Sequence, residues 1–294
     1  MKNPTSRTAL ALGAAVLAGG VVAGVAGAQA QAPAAAPAAK APVVTPRDAD
    51  GHPILSGLLT GGATGVTRNV EDAVTAFRGR GDSYVGLEAD GAIRRTSNDN
   101  VPLYKPEYWD EITDNDYNGN WEDPVDECIP LGVPRLGVPA QIIKVEGQPA
   151  YILVNKAGFT GYGGSYNSWD VFRWVWADGR PHNKGYADSE TQMGDATAHW
   201  EGDTLVIESI GFTDTTWLHK NGWIHSFDMK VTERLTRIGN SLVWEATVED
   251  PGVLQQPWKM TPIVAGFNQD PNAILGESPP CLVREPFASH VRSG

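Results

Sequence analysis

From Gln141 onward, apolar and polar residues alternate with period two in short runs broken by turn residues. "QIIKVEG" and "PAYILVN" are apolar runs with a turn between them, which predicts a hairpin. "WDVFRWVW" followed by "ADGR" predicts a strand and a turn. "ATAHW" and "TLVIESIGF" flank "EGD", and "FDMKVTERLTRI" and "LVWEATVED" flank "GNS", giving two further hairpins. "WKMTPIVAGF" predicts a last strand broken near Pro262. No long helical period intervenes. Leu242, Trp244, Ala246 and Val248 oppose Val243, Glu245, Thr247 and Glu249, so one face of that strand is wet. The pattern predicts a mainly β fold: an antiparallel, lipocalin-like barrel with an apolar lumen, or alternatively a β-sandwich. The many tryptophans and tyrosines suit a barrel whose lumen takes a flat or apolar ligand.

The N-terminal half reads differently. Lys2 and Arg7, an apolar Gly/Ala-rich run and "AQA" ending at Ala30 predict a signal peptide over 1–30, with an uncleaved anchor as the rival reading. Residues 31–46 form an Ala/Pro-rich linker. Residues 47–140 are Gly- and Pro-rich and predict an irregular wrapping segment before the β core at 141–294, with 47–294 as one domain. Within it "VEDAVTAF" suggests a short helix, and "VPLYKPEYWDEI" ends in a helical turn.

Charge narrows the partners. The net charge is −12, and signal cleavage would remove two cations. Acidity argues against nucleic acid and against anionic lipid once the signal is gone. Signal and cysteines together predict a periplasmic or secreted protein. In an oxidising compartment Cys128 and Cys281 are expected to form one disulfide, with two separate buried thiols as the alternative. The six histidines lack metal-site spacing, and no phosphate loop, nucleophile elbow or dinucleotide motif is present. No metal and no cofactor are therefore expected.

Candidate chemistry centres on "GWIHSFDMKVTERL". Read as one strand, Trp223, His225, Phe227, Met229, Val231, Glu233 and Leu235 share the inner face. His225 is the acid/base candidate, against a buried core histidine hydrogen-bonded to backbone. Glu233, roughly 26 Å away along a straight strand, cannot touch it without a bend. Arg173, inward-facing with Val171 and Val175, is the natural partner of Glu233, as a lock or as part of a site. Asp214 and Trp217 lie in a loop between strands, and Asp214 reads first as a turn cap. Tyr162 and Tyr166 in "GYGGSYNSW" are candidate donors or stacking surfaces, or simply rim packing.

The segments "DGRPH", "WEGDTLVIESIGF", "TTWLHKNGWIHS" and "VTERL", with "HPILSG", "PLYKPEY" and "DPVDECIPLGVPRL" before them, resemble a large family of exported, mostly uncharacterised bacterial β-rich proteins. The resemblance runs from about Asp50 to the C-terminus. It departs at "LSGLL", which lacks an aromatic residue, and at His219, where Asp is common. It carries over Asp178, Arg180, His182, Asp203, Asp214, Trp217, His225, Ser226, Glu233 and Arg234. It implies a β-rich exported protein associated with breakdown of lignin-type aromatics, including side-chain decarboxylation. "DGR" and "EGD" are turn chemistry first.

The leading expectation is a cofactor-independent lyase, decarboxylase or isomerase for a small aromatic substrate. His225 would move the proton with Glu233 or Asp214, Arg173 would anchor a carboxylate, and Tyr162, Tyr166 and Trp217 would line the site. A non-catalytic periplasmic binder of small aromatic or apolar ligands is the alternative, and a structural envelope protein the third reading. Oligomeric state has no signal in the sequence.

Overall fold

A computed structural model of the chain describes residues 44–60, 100–117, 123–160, 166–183, 185, 190–219, 222–278 and 280–281. The signal peptide, most of the linker and the "VEDAVTAF" helix lie outside the described residues, as does the whole of the unit Met1–Ala41. All elements below belong to the unit Pro42–Gly294.

Among the described residues there are ten strands: β1 (Gly57–Thr60), β2 (Gln141–Lys144), β3 (Ala150–Thr160), β4 (Tyr166–Trp176), β5 (Asp195–Glu201), β6 (Thr204–Ile210), β7 (Lys230–Ile238), β8 (Ser241–Glu249), β9 (Trp258–Lys259) and β10 (Ile263–Phe267). A helix, α1 (Trp109–Tyr117), follows a 3-10 turn at Pro106–Tyr108. Strands β1 to β8 pair in chain order, and β10 bridges β8 back to β1. Nine strands thus close a barrel, with β9 appended to the far half of β8. A barrel excludes the sandwich alternative. Closure also hides every long edge, which an open sheet would present to other chains.

The predicted hairpins β2–β3, β5–β6 and β7–β8 all form, with left-handed turn glycines at Gly147, Gly202 and Gly239. The broken last strand forms as well. β9 pairs with Thr247 and Val248, β10 with Ser241 to Trp244, and Pro262 lies between them. One pairing departs from the all-antiparallel expectation. β4 and β5 are parallel, joined only through Val175 with Ala196 and Trp176 with Thr197. Parity explains it: an odd ring of strands cannot alternate direction throughout.

A second departure concerns "GWIHSFDMKVTERL". The strand begins at Lys230, not at Trp223. The Asp250 carboxylate accepts from Ser226 N–H (2.6 Å) and Ser226 Oγ (2.7 Å). Ser226 Oγ in turn accepts from the Asp228 amide at 3.2 Å. This local turn displaces the ladder, and Phe227, expected inside, is 49% exposed. From Lys230 the alternation holds: Val231, Glu233, Leu235 and Arg237 are buried and their neighbours are not.

The described apolar residues pack into two clusters. One occupies the lumen, with Leu153, Val175, Leu205, Ile207, Leu235, Leu242, Trp244 and Ala246. The other closes the end where β7 starts. There Tyr104, Ile112, Val133 and Leu136 of the N-terminal segment pack on Phe212, Trp223, Met229 and Trp258. The hairpin-turn end is crossed by residues 44–56. Arg47 pairs with Asp203 at 2.6 Å, Thr45 Oγ1 accepts from Gly239 N–H at 2.8 Å, and the Ile54 carbonyl accepts from Arg237. Described residues of the N-terminal segment therefore pack at both ends of the barrel. Cys128 and Cys281 are bonded, tying the 3-10 turn at Pro124–Glu127 to the C-terminal stretch.

Candidate functional site

The expected site residues fall into two groups. The first lies in the lumen. Arg173 on β4 and Glu233 on β7 meet through two hydrogen bonds, of 2.6 and 3.0 Å. Their side chains are 2% and 1% exposed. Trp244 Nε1 donates to the same carboxylate at 2.9 Å. Both terminal guanidinium nitrogens of Arg173 are thus taken up by Glu233. Leu153, Ile207, Leu235 and Trp244 in the same cluster are fully buried, so no water-sized void touches them. Around these residues the lumen is filled by side chains, and it is not purely apolar. Three buried polar atoms of it have no protein partner among the described residues: Asn155 Oδ1, Arg173 Nε and Ser209 Oγ.

The second group sits at the end where β7 starts. His225, 4% exposed, lies edge-on to Phe212, with ring centroids 6.4 Å apart. Its Nδ1 is 3.1 Å from the Ser226 carbonyl, and its Nε2 is 2.8 Å from Thr216 Oγ1. A carbonyl only accepts, so Nδ1 carries the proton and Nε2 accepts from the Thr216 hydroxyl. Burial lowers the imidazole's pKa; the Ser226 hydrogen bond and the charges of Asp250 and Asp214 oppose this without reversing it. The ring is a neutral base with both nitrogens engaged. Asp214 is exposed, while Thr216 and Trp217 of the same loop are buried. Gly132 packs so tightly on this loop that a Cβ there would lie 2.7 Å from Thr216 Oγ1.

His225, Asp214 and Trp217 are therefore neighbours, as are Arg173 and Glu233. Among the described residues no hydrogen bond or ion pair joins His225 to Glu233. Tyr162 lies outside the described residues. Tyr166 opens β4 opposite Thr160, and its side chain lies outside them too. The "DGR" and "EGD" segments are turns. Gly179 and Gly202 are left-handed, and Arg180 is clasped by Asp178 at 2.7 Å while its guanidinium lies 3.7 Å from the centre of the Trp176 ring. His182 Nδ1 sits 3.0 Å from Asp195, which also accepts the Asn183 amide and so fixes this stretch against β5.

Sequence reasoning missed a cavity of about 440 Å³ at the hairpin-turn end. Its walls are the β2–β3 turn and Lys144, Tyr151, Ala177, Trp200 and His52. His52 stacks on Trp200, with centroids 4.3 Å apart and planes 6° off parallel. Tyr151 is 3% exposed, and burial raises its phenol pKa despite the nearby Lys144 charge. Lys144 is held by Asp48 at 2.8 Å, with Asp50 at 3.9 Å. His52 is far from Trp200 in sequence and lies in a segment with no periodicity, so no local signal announced their meeting. Among the described residues no three His, Cys, Asp or Glu side chains converge in a way that would hold a metal ion. Comparison with protein-family models, curated proteins and solved structures gave no match to the chain.

Proposed function

We propose that the protein is a non-catalytic carrier of small aromatic or apolar molecules, with its ligand in the cavity at the hairpin-turn end. One observation carries this reading: a cavity of about 440 Å³, with Trp200, His52 and Tyr151 in its wall, opens at the hairpin-turn end of the barrel. A volume of that order holds a ring of one or two cycles, and the wall sets aromatic faces beside polar groups, among them Asp50, Lys144 and Glu146, that can orient it. Export belongs to the same reading. The Cys128–Cys281 bond suits an oxidising compartment, and the resemblance to exported β-rich proteins agrees with it. The test is a panel of phenylpropanoid and biaryl compounds incubated with the purified chain and followed by mass spectrometry under native conditions. Ligands bound and recovered unchanged support the carrier.

A second reading, a lyase, decarboxylase or isomerase, is favoured by His225. A neutral imidazole whose unprotonated Nε2 accepts from the Thr216 hydroxyl is a base once that hydroxyl gives way to substrate. Products lighter by carbon dioxide or formaldehyde, or isomers of unchanged mass, would displace the carrier reading. Loss of that turnover in His225→Gln, with binding retained, would then assign the proton transfer.

A further inference from the structure

The geometry points to a neutral, hydroxylated aromatic ring as the ligand class of the hairpin-end cavity, with Tyr151 as the residue that selects it. This inference rests on the binding reading above and goes on to the ligand's chemistry.

Tyr151 is 3% exposed and lines the cavity. Among the described residues its hydroxyl has no hydrogen-bond partner, and it is not one of the sealed, unsatisfied polar atoms of the interior. The hydroxyl is therefore reached by solvent, and the cavity is the space that Tyr151 lines. Burial keeps it protonated, so it can both donate and accept.

Charge around it decides between ligand classes. The Lys144 ammonium, 6.0 Å from the Tyr151 ring centre, is already neutralised by Asp48 at 2.8 Å, and Asp50 stands at 3.9 Å. Glu146 adds a further carboxylate to the wall. The surplus is negative. A ligand carboxylate would meet Asp50 and Glu146 with no unspent cation, and like charges a few ångströms apart repel. A ligand cation can pair with Asp50 or Glu146, but at the Tyr151 ring it competes with the Lys144 ammonium. A phenolic hydroxyl meets neither obstacle: it accepts from Tyr151 and donates to a carboxylate. Its ring finds a flat wall in the His52–Trp200 stack.

The test uses the full chain and three probes of similar size: 4-ethylphenol, 4-ethylbenzoate and phenyltrimethylammonium. Dissociation constants are read near neutral pH by calorimetry and tryptophan fluorescence. The phenol should bind about tenfold more tightly than the benzoate. Tyr151→Phe, which removes one unpaired oxygen and leaves the packing intact, should weaken the phenol about three- to tenfold and leave melting unchanged. Asp50→Asn should narrow the gap between phenol and benzoate. Benzoate or the ammonium probe binding as tightly as the phenol, or a phenol affinity indifferent to Tyr151→Phe, would overturn the inference while leaving the carrier standing. No binding by any probe would overturn the carrier reading, and the inference with it.

Discussion

Arg173 and Glu233, 60 residues apart in sequence, face each other inside the barrel with both terminal guanidinium nitrogens on one carboxylate. The pair spans from β4 to β7, which are not neighbours in the sheet, so it fixes the lumen across the barrel. Each charge is stable there only because the other is present. Arg173→Met alone should cost about 3–5 kcal/mol, because it leaves Glu233 buried with only Trp244 as a donor. Arg173→Met with Glu233→Leu should recover most of that loss, since a volume-matched apolar pair needs no partner. Urea unfolding of the single and double variants decides it. A single variant as stable as the wild type would mean that the carboxylate finds another partner.

His225 gives the molecule an acid limit. Burial holds its pKa below the ordinary value of about 6.5. The unfolded chain therefore binds a proton in a range where the folded chain does not. The contribution of neutral His225 is fully present above the unfolded value and is lost as pH falls from there through the lower folded value. Urea midpoints should fall from neutral pH into that window, and His225→Gln should flatten this part of the profile. An unchanged slope in the variant would assign the acid sensitivity to the carboxylates instead.

Much of this was legible in the sequence, for a physical reason. A strand with one wet face writes its orientation every second residue, so β7 and β8 and their buried faces follow directly from the alternation. The Arg173–Glu233 encounter was legible as well, because two inward charges in an apolar set must find each other. What failed was the stretch before Lys230. Its alternation is real in composition, but Asp250 reaches back 24 residues to hold Ser226 in a turn, and no local pattern records that. The four-residue β1 is too short to show a period. The hairpin-end cavity is assembled by a crossing segment whose contacts with the barrel are long-range, such as Arg47 with Asp203.

The Cys128–Cys281 bond closes a separation of 153 residues. Near Cys281, the chain is also held by Ser278, whose Oγ and N–H both donate to Asp170, and by the Gly276 carbonyl, which accepts from Lys156. These are exposed contacts of modest worth. The covalent tie should dominate. Cys281→Ser should lower stability by about 2–4 kcal/mol. Limited proteolysis should then cut first in the C-terminal stretch. Early cleavage there at equal global stability would mean that the bond anchors only the tail.

The contact between Gly132 and Thr216 holds the His225 hydrogen bond in place. Gly132 has φ +71°, which side chains rarely adopt, and a Cβ there would come within 2.7 Å of Thr216 Oγ1 and 3.0 Å of Thr216 Cβ. Gly132→Ala is thus penalised twice, by backbone strain and by pushing away the hydroxyl that His225 Nε2 accepts from. A loss of about 1–3 kcal/mol is expected. Thr216→Val separates the two effects, since it removes the hydroxyl without touching the backbone. It should cost about 1–2 kcal/mol and leave Nε2 buried without a donor. The imidazole resonances in NMR report the same event. In both variants the Nε2 shift should move towards that of an unbonded ring nitrogen, while Nδ1 keeps its proton on the Ser226 carbonyl. If the Nε2 shift stayed put in Thr216→Val, another donor would be holding the ring, and the Thr216 contact would be packing alone.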